Sequence, residues 1–312
     1  MSSVSIVIPV FNAAQSLEKL CQQLTPAMEL ITDDFEVIFV EDCSADESWK
    51  IITVLHESDR RVRGIRLGRN YGQHNALLCG IRAAQFDTII TMDDDLQNPV
   101  SELSKLLVKL DEGFDVVYGT PKKQQHGFLR NLASSMIKLS LQNVMGAETA
   151  RNVSAFRAFK TRLREGFKQY NSPYVSIDVL LTWATSSFIS IEVEHLPREV
   201  GVSNYTVGKL ISHAFNLVTG FSTVPLQLAS MTGFVFTLFG GGILIWTVGR
   251  YFILGTSVPG FTFLASIIAI FSGVQLFALG IFGEYLARIH FRTMDRPPYV
   301  ISERCDMAKD GQ

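Results

Sequence analysis

Apolar and polar positions exchange two periods along the first 120 residues. Val4-Ser5-Ile6-Val7-Ile8-Pro9-Val10 is rich in β-branched residues and reads as a buried strand. Leu17, Leu20, Leu24 and Met28 follow at helical spacing within residues 14–31. The exchange then repeats. A strand over 35–40 ends in Glu41-Asp42, and Ser44-Ala45-Asp46-Glu47 has the composition of a helix N-cap with acids in the first turn. Residues 62–67 form the next strand and 73–84 the next helix. Residues 88–91 precede a helix marked by Leu103, Leu106, Leu107 and Leu110, and 115–119 form a fifth strand. The βαβαβαβαβ order predicts an α/β fold with a doubly wound, mostly parallel sheet. No GxGxxG follows the first strand, so a dinucleotide site of the Rossmann kind is not expected. Residues 189–196 alternate and predict one later strand.

The pattern changes in the last third. No charged residue occurs from Ser222 to Gly249, nor from Tyr251 to Gly283. Each run exceeds the roughly 20 residues a bilayer span needs, and spans are expected near Leu226–Val248 and Phe261–Phe282. Gly240-Gly241-Gly242 and Ser272-Gly273 are small enough to let two helices approach. Just before them, Val207, Leu210, Ile211, Ala214, Phe215, Leu217, Val218 and Phe221 share a helical stripe, as in an interfacial amphipathic helix or a helix packed on a soluble domain. Lys209 precedes the first span, and Arg288, Arg292 and Arg296 follow the second. The charge bias places both termini in the cytoplasm. The resulting division is a cytoplasmic domain over 1–204, an amphipathic helix over 205–224, two spans within 225–286, and a tail over 287–312.

Composition agrees with that division. Of 312 residues 47% are hydrophobic, and the mean hydropathy is +0.21. A net charge of −2 gives no reason to expect a nucleic-acid partner. The first residues read as a strand without the basic region of a signal peptide. Cys21, Cys43, Cys79 and Cys305 are scattered, as expected of free thiols in a reducing compartment.

The most pointed chemistry is Asp93-Asp94-Asp95-Leu96-Gln97, directly after the strand at 88–91. Ligands of open α/β sheets bind at the carboxyl ends of strands. Alternation along an extended chain would turn Asp93, Asp95 and Gln97 to one side. Hard oxygen ligands there suit Mg²⁺ or Mn²⁺ completed by water and substrate phosphates. A solvated acidic turn before a helix is the plainer alternative.

Four segments together resemble the successive motifs of family 2 glycosyltransferases with the GT-A fold: Ile8-Pro9-Val10-Phe11-Asn12, Val40-Glu41-Asp42-Cys43-Ser44-Ala45-Asp46, Arg69-Asn70-Tyr71-Gly72 and Asp93-Asp94-Asp95-Leu96-Gln97. With two spans after the domain, the chain is similar to the polyprenyl-phosphate branch, which holds dolichyl-phosphate mannose synthases and bacterial undecaprenyl-phosphate glycosyltransferases. The resemblance implies roles. Pro9, Phe11, Asn12, Glu41, Asp42 and Asn70 would line the nucleotide pocket, with Asp93 and Asp94 toward ribose or sugar. Asp95 and Gln97 would hold Mg²⁺ or Mn²⁺ on the donor diphosphate. Pro197-Arg198-Glu199-Val200-Gly201-Val202-Ser203 resembles the loop over the diphosphate and acceptor phosphate. The resemblance makes Asp93, Asp95 and Arg198 the catalytic set and Arg198 and Ser203 contacts of the acceptor phosphate, with Lys209 as a substitute for the lysine the family often has after that serine; Lys122, Lys123 and Arg130 are read from their charge as facing phosphates or as a solvated basic face. Asn152 and Ala155 stand where the family often has acids, which leaves no obvious carboxylate base; an ionised phosphate acceptor needs little help from one.

The expectation is therefore an inverting, membrane-anchored transferase. It would move a sugar from a nucleotide donor, UDP-linked, to polyprenyl (undecaprenyl) phosphate at the bacterial inner membrane, for a cell-envelope glycan or lipopolysaccharide. The resemblance also implies a homo-oligomer, a tetramer. Two alternatives remain open at this point: a degenerate donor-binding subunit that supports another transferase, and a processive polysaccharide synthase. Trp49, Trp183 and Trp246 lack the Gln-x-x-Arg-Trp context of the latter.

Overall fold

The computed structural model describes residues 3–121, 152–196, 224–254, 260–294 and 296–305. The chain divides into two compact units, Met1–Ser212 with Asp295–Gln312, and His213–Met294.

The first unit begins with β1 (Val4–Val10), α1 (Leu17–Glu29), β2 (Phe35–Glu41), α2 (Ser48–Ser58), β3 (Val62–Leu67), α3 (Gln73–Ala83), β4 (Thr88–Thr91), α4 (Leu103–Asp111) and β5 (Val116–Pro121). Then come β6 (Arg157–Lys160), α5 (Ile177–Ala184), β7 (Phe188–Val193) and, after the second unit, β8 (Ile301–Cys305). One eight-stranded sheet runs β7-β5-β6-β4-β1-β2-β3-β8. The pairs β1/β2, β1/β4, β2/β3 and β5/β7 are parallel. β6 is antiparallel to β4 and β5, and β8 to β3.

Every residue of β1 and β2 is buried, so both faces of the sheet centre are covered. One face joins Val4, Ile6, Ile8 and Val10 to Leu17, Leu20, Leu24 and Met28 of α1 in a single core. On the other face α3 lies close over Val7, because Gly80 has no Cβ; an added one would collide with the Val7 side chain.

Two boundaries differ from the sequence expectation for a shared reason. α2 starts at Ser48, not after Ser44. The Ser44 hydroxyl and Asp46 carboxylate accept the N–H groups of Asn12 and Ala14 instead, at 3.0 Å each. The loop after β1 thus takes the Ser44 hydroxyl and one Asp46 oxygen, while the other Asp46 oxygen accepts the Ser48 N–H at 3.1 Å where α2 begins. β7 stops at Val193, and Leu196 turns its N–H to the Gln97 carbonyl at 2.8 Å.

The tail is part of this unit rather than an appendage. β8 pairs with β3 from Gly64↔Cys305 to Leu67↔Ile301. Glu303 accepts the Trp49 indole N–H at 3.0 Å and pairs with Arg66 at 2.9 Å. Buried Asn75 on α3 donates to the Pro298 carbonyl at 2.6 Å and to the Pro173 carbonyl at 3.2 Å.

The second unit holds α6 (Val224–Leu254) and α7 (Phe261–Thr293). Both are long and apolar enough to cross a membrane, over Leu226–Arg250 and Ile270–Ala287. Protein covers almost none of either stretch. Phe236 and Phe271 meet edge to face at 5.9 Å, and a Cβ on Gly240 would stand 2.8 Å from the Phe271 ring. Gly240 is thus the residue of the glycine triplet that admits the neighbouring helix.

Candidate active site

β1 has β2 on one side and β4 on the other, so the strand order reverses there. A crevice at such a switch point, outside the carboxyl ends of the strands, is where open α/β sheets bind ligands. A cavity of about 280 Å³ opens there. Pro9, Val10 and Phe11 reach it from the end of β1, and Asp42 from the end of β2. Asn70, Gly72, Gln73 and Ala76 line it around the start of α3, and Asp93, Asp94 and Asp95 after β4.

Each wall has a local cause. Asp42 is 3% exposed, and its two carboxylate oxygens accept the N–H groups of Tyr71 and Gly72 at 2.7 Å each. Gly72 takes φ +95° to open α3, a conformation glycine adopts without strain. Burial raises the Asp42 carboxyl above its ordinary range, against the two N–H groups that favour its ionised form. Phe11 is 44% exposed, an apolar face at the cavity rim.

The acidic loop does not continue the alternation of the strand. β4 ends at Thr91 and Leu96 has φ +59°, so Asp93, Asp94 and Asp95 all face the cavity, not alternate ones. Gln73 Nε2 donates to Asp93 Oδ1 at 2.6 Å, and the Gln97 N–H to Asp95 Oδ1 at 3.2 Å. The Asp94 carboxyl is pushed up to about 7, first by burial and then by the charge of Asp93. The nearby Phe11 N–H opposes that shift in part. Crowded acids of this kind accept a cation readily. Among the described residues, no three Asp, Glu, His or Cys side chains converge into a metal cage. Carboxylate oxygens lining a cavity suit an ion completed by water and phosphate, the habit of Mg²⁺ and Mn²⁺.

Three anticipated residues stand outside the cavity lining. Glu41 is fully buried, pairs with Arg66 at 3.1 Å and accepts the Ser44 N–H. The Asn12 side chain accepts the Ala45 N–H at 2.9 Å, at φ +53°. Asn12 thus braces the loop after β1 against the loop after β2, whereas Glu41 ties the end of β2 to its own loop and to β3. Gln97 lies beside the cavity, its amide 3.5 Å from the Leu196 carbonyl. The Asn152 amide donates to the Ser190 hydroxyl at 3.2 Å. Lys122, Lys123, Arg130, Arg198, Ser203, Lys209 and the whole amphipathic stripe lie outside the described residues. Sequence reasoning missed Gln73; its only signal was its place directly after the Arg69-Asn70-Tyr71-Gly72 segment.

A larger hollow of about 530 Å³ lies at the amino end of β4, by Asp87, Thr88, Lys160 and Arg162. Its lysine and Arg162 pair with Asp115 at 3.1 and 2.8 Å, and Arg164 donates to the Ala84 carbonyl at 2.6 Å. Those groups serve the fold.

A mixed α/β sheet with a carboxylate-lined cavity at its switch point is the class of protein that fold and site define. The family model for "Glycosyl transferase family 2" matches residues 5–170, and the chain belongs to that family. It is 33% identical over 301 residues to an undecaprenyl-phosphate 4-deoxy-4-formamido-L-arabinose transferase of Enterobacter sp. (strain 638), covering 96% of this chain and 92% of the relative. The relative of the same name from Yersinia pestis (strain Pestoides F) is 34% identical over 307 residues, covering 97% and 94%. Among solved structures, glucosyl-3-phosphoglycerate synthase from Mycobacterium tuberculosis, with Mn²⁺, UDP-glucose and phosphoglyceric acid, shares the fold at a TM-score of 0.52. That likeness has 15% identity and covers 70% of this chain and 78% of the other.

Proposed function

We propose that this glycosyltransferase moves a sugar from a UDP-sugar to undecaprenyl phosphate at the cytoplasmic face of a bacterial inner membrane. The carrying observation is the cavity that joins an apolar rim at Phe11, an acceptor at Asp42 and three carboxylates at the end of β4. The two relatives that cover nearly the whole chain are named for the same acceptor.

Asp42 accepts a pyrimidine ring N–H with the lone pairs left by Tyr71 and Gly72, and Phe11 covers the base. Asp93, held by Gln73, faces the ribose or sugar. Asp95 and the amide oxygen of Gln97 would hold a divalent ion, which when bound would neutralise charge on the leaving diphosphate. The lipid phosphate oxygen attacks the anomeric carbon as its bond to the diphosphate breaks, and one displacement inverts that carbon. No protein base is needed, because the acceptor phosphate is already largely ionised at neutral pH. Asn152 and Ala155 are consistent with that chemistry. The chain leaves β7 beside Gln97, through the Leu196 bond, two residues before Arg198. Arg198 then offers a planar fork to the two anionic groups as they approach, with Ser203, Lys209 and Arg130 toward the acceptor.

β8 supports the topology. A strand that follows the second long helix and pairs with β3 requires an even number of crossings between them. With the basic residues after α7, this supports the reading that both termini lie in the cytoplasm.

The test is transfer by purified full-length protein, given undecaprenyl phosphate, Mn²⁺ and a panel of UDP-sugars. One sugar should yield a lipid-linked product, and Asp95→Asn should lower its rate by about 100-fold or more while the protein stays folded. Normal turnover by Asp95→Asn, or no lipid product from any donor, would refute the reading.

A further inference from the structure

The strand that carries the acidic loop ends on Thr91, where a buried polar network begins. The Thr91 hydroxyl donates to the Ala155 carbonyl at 2.7 Å and accepts from Arg157 Nε at 3.1 Å. Arg157 lies opposite Thr91 in the β4/β6 register and is 1% exposed. Its Nη1 pairs with Asp178 in the first turn of α5. The Tyr118 hydroxyl on β5 donates to the same carboxylate oxygen at 3.0 Å. Burial raises Tyr118 well above the ordinary tyrosine range, so it remains a donor.

Stability alone gives little reason for this arrangement. Replacing a buried ion pair by apolar side chains of similar volume is often neutral or stabilising. Its location is more telling. β4 has four residues, and its last one is tied through Arg157 to β5, β6 and α5. Met92 adds one bond, from its N–H to the Val7 carbonyl at 3.3 Å. Asp93 comes immediately after.

We propose that Thr91 and Arg157 are positioning residues, whose network fixes where β4 delivers Asp93, Asp94 and Asp95 to the diphosphate and its ion. This rests on the metal role given to Asp95 above. Groups that orient metal ligands from behind are worth about 10–100-fold in metal affinity. The Thr91 hydroxyl acts one step further back, by holding the strand end from which the acidic loop departs, so the lower end of that range is the one expected.

The network is tested by a matched pair of buried hydroxyls. Thr91→Val removes two hydrogen bonds at nearly constant volume. Ser5→Ala removes two at the amino end of β1, where Ser5 donates to Glu36 at 2.6 Å and accepts the Phe86 N–H at 3.1 Å. Mn²⁺ affinity of the full-length protein is read directly in the presence of UDP, from the paramagnetic resonance of free Mn²⁺, together with the melting temperature. Both variants should melt lower. Thr91→Val should bind Mn²⁺ about 10-fold more weakly, Ser5→Ala as the wild type does, and Thr91→Ser should recover most of the loss. If Thr91→Val does not fold, Tyr118→Phe, which frees Asp178 from β5, should weaken Mn²⁺ in the same direction. Unchanged Mn²⁺ affinity in the folded network variant overturns the inference alone. A wild type that binds no Mn²⁺ with UDP overturns the metal reading and this inference with it.

Discussion

The sheet unit and the helical hairpin are built from the same apolar residues and use them in opposite ways. Phe39 on β2 is fully buried, whereas Phe239 on α6 is 61% exposed. The sheet's apolar side chains are covered by helices of the same chain; over Leu226–Arg250 of α6 and Ile270–Ala287 of α7, protein buries almost none of the described residues. Two such helices in water would expose far more apolar surface than a soluble monomer carries. In hydrocarbon the same surface costs nothing, because lipid is as apolar as a leucine side chain. The difference shows that hydrophobic content alone does not define a core; what the residues face does.

The largest effect expected from this contrast is a matched truncation. Phe39→Ala should cost about 3–5 kcal/mol, the penalty for emptying a packed site. Phe239→Ala should change unfolding stability of the detergent-solubilised protein by less than about 1 kcal/mol, since detergent or lipid fills the space. Denaturant unfolding of both variants measures this. A Phe239→Ala cost as large as that of Phe39→Ala would mean that protein, not lipid, covers α6.

A smaller effect concerns the tail that returns to the sheet. Asn75 spends its amide on two backbone carbonyls, Pro298 and Pro173. Asn75→Ala should strand both and lower stability by about 1–3 kcal/mol. Protease cleavage within residues 296–305 should accelerate in parallel. Wild-type cleavage rates in this variant would show that β8 is held by its ladder and Glu303 alone.

How much of this was legible beforehand differs between the same two regions. The five strands and four helices of the first 120 residues were readable because short β-branched runs and leucine spacing are local signals. The apolar hairpin was readable because a charge-free run cannot be hidden. β6 and β8 were not, since a four-residue Arg157–Lys160 strand and a polar Ile301–Cys305 edge strand carry no period of their own; long-range pairing makes them strands. At the site, Asp42, Asn70 and the three aspartates were legible from strand ends and motif resemblance. The placement of Glu41 and Asn12 was not. Their partners Arg66 and Ala45 come from other segments, and motif resemblance does not say which oxygens the backbone will claim. The buried Arg157 sat within a run whose missing acids drew attention instead.

The smallest effect is electrostatic and sharpens the contrast, because the candidate spans hold no acid before Glu284. At Asp42 two influences compete. Burial, with Glu41 beside it, raises the carboxyl, while the Tyr71 and Gly72 N–H groups lower it. Burial is the larger, so the folded value lies above the unfolded one. A carboxyl of that kind adds stability fully present below its unfolded pKa and lost as pH rises through the folded value, because the unfolded chain ionises first. The wild type should therefore lose part of its advantage over Asp42→Asn as pH rises above the ordinary aspartate value of about 4. Melting temperatures of the two proteins from that pH upward measure the trend. An advantage that grows with pH would reverse the order of the two influences: the N–H groups would then outweigh burial, and Asp42 would be held as a carboxylate, ready for a ring N–H at every pH measured.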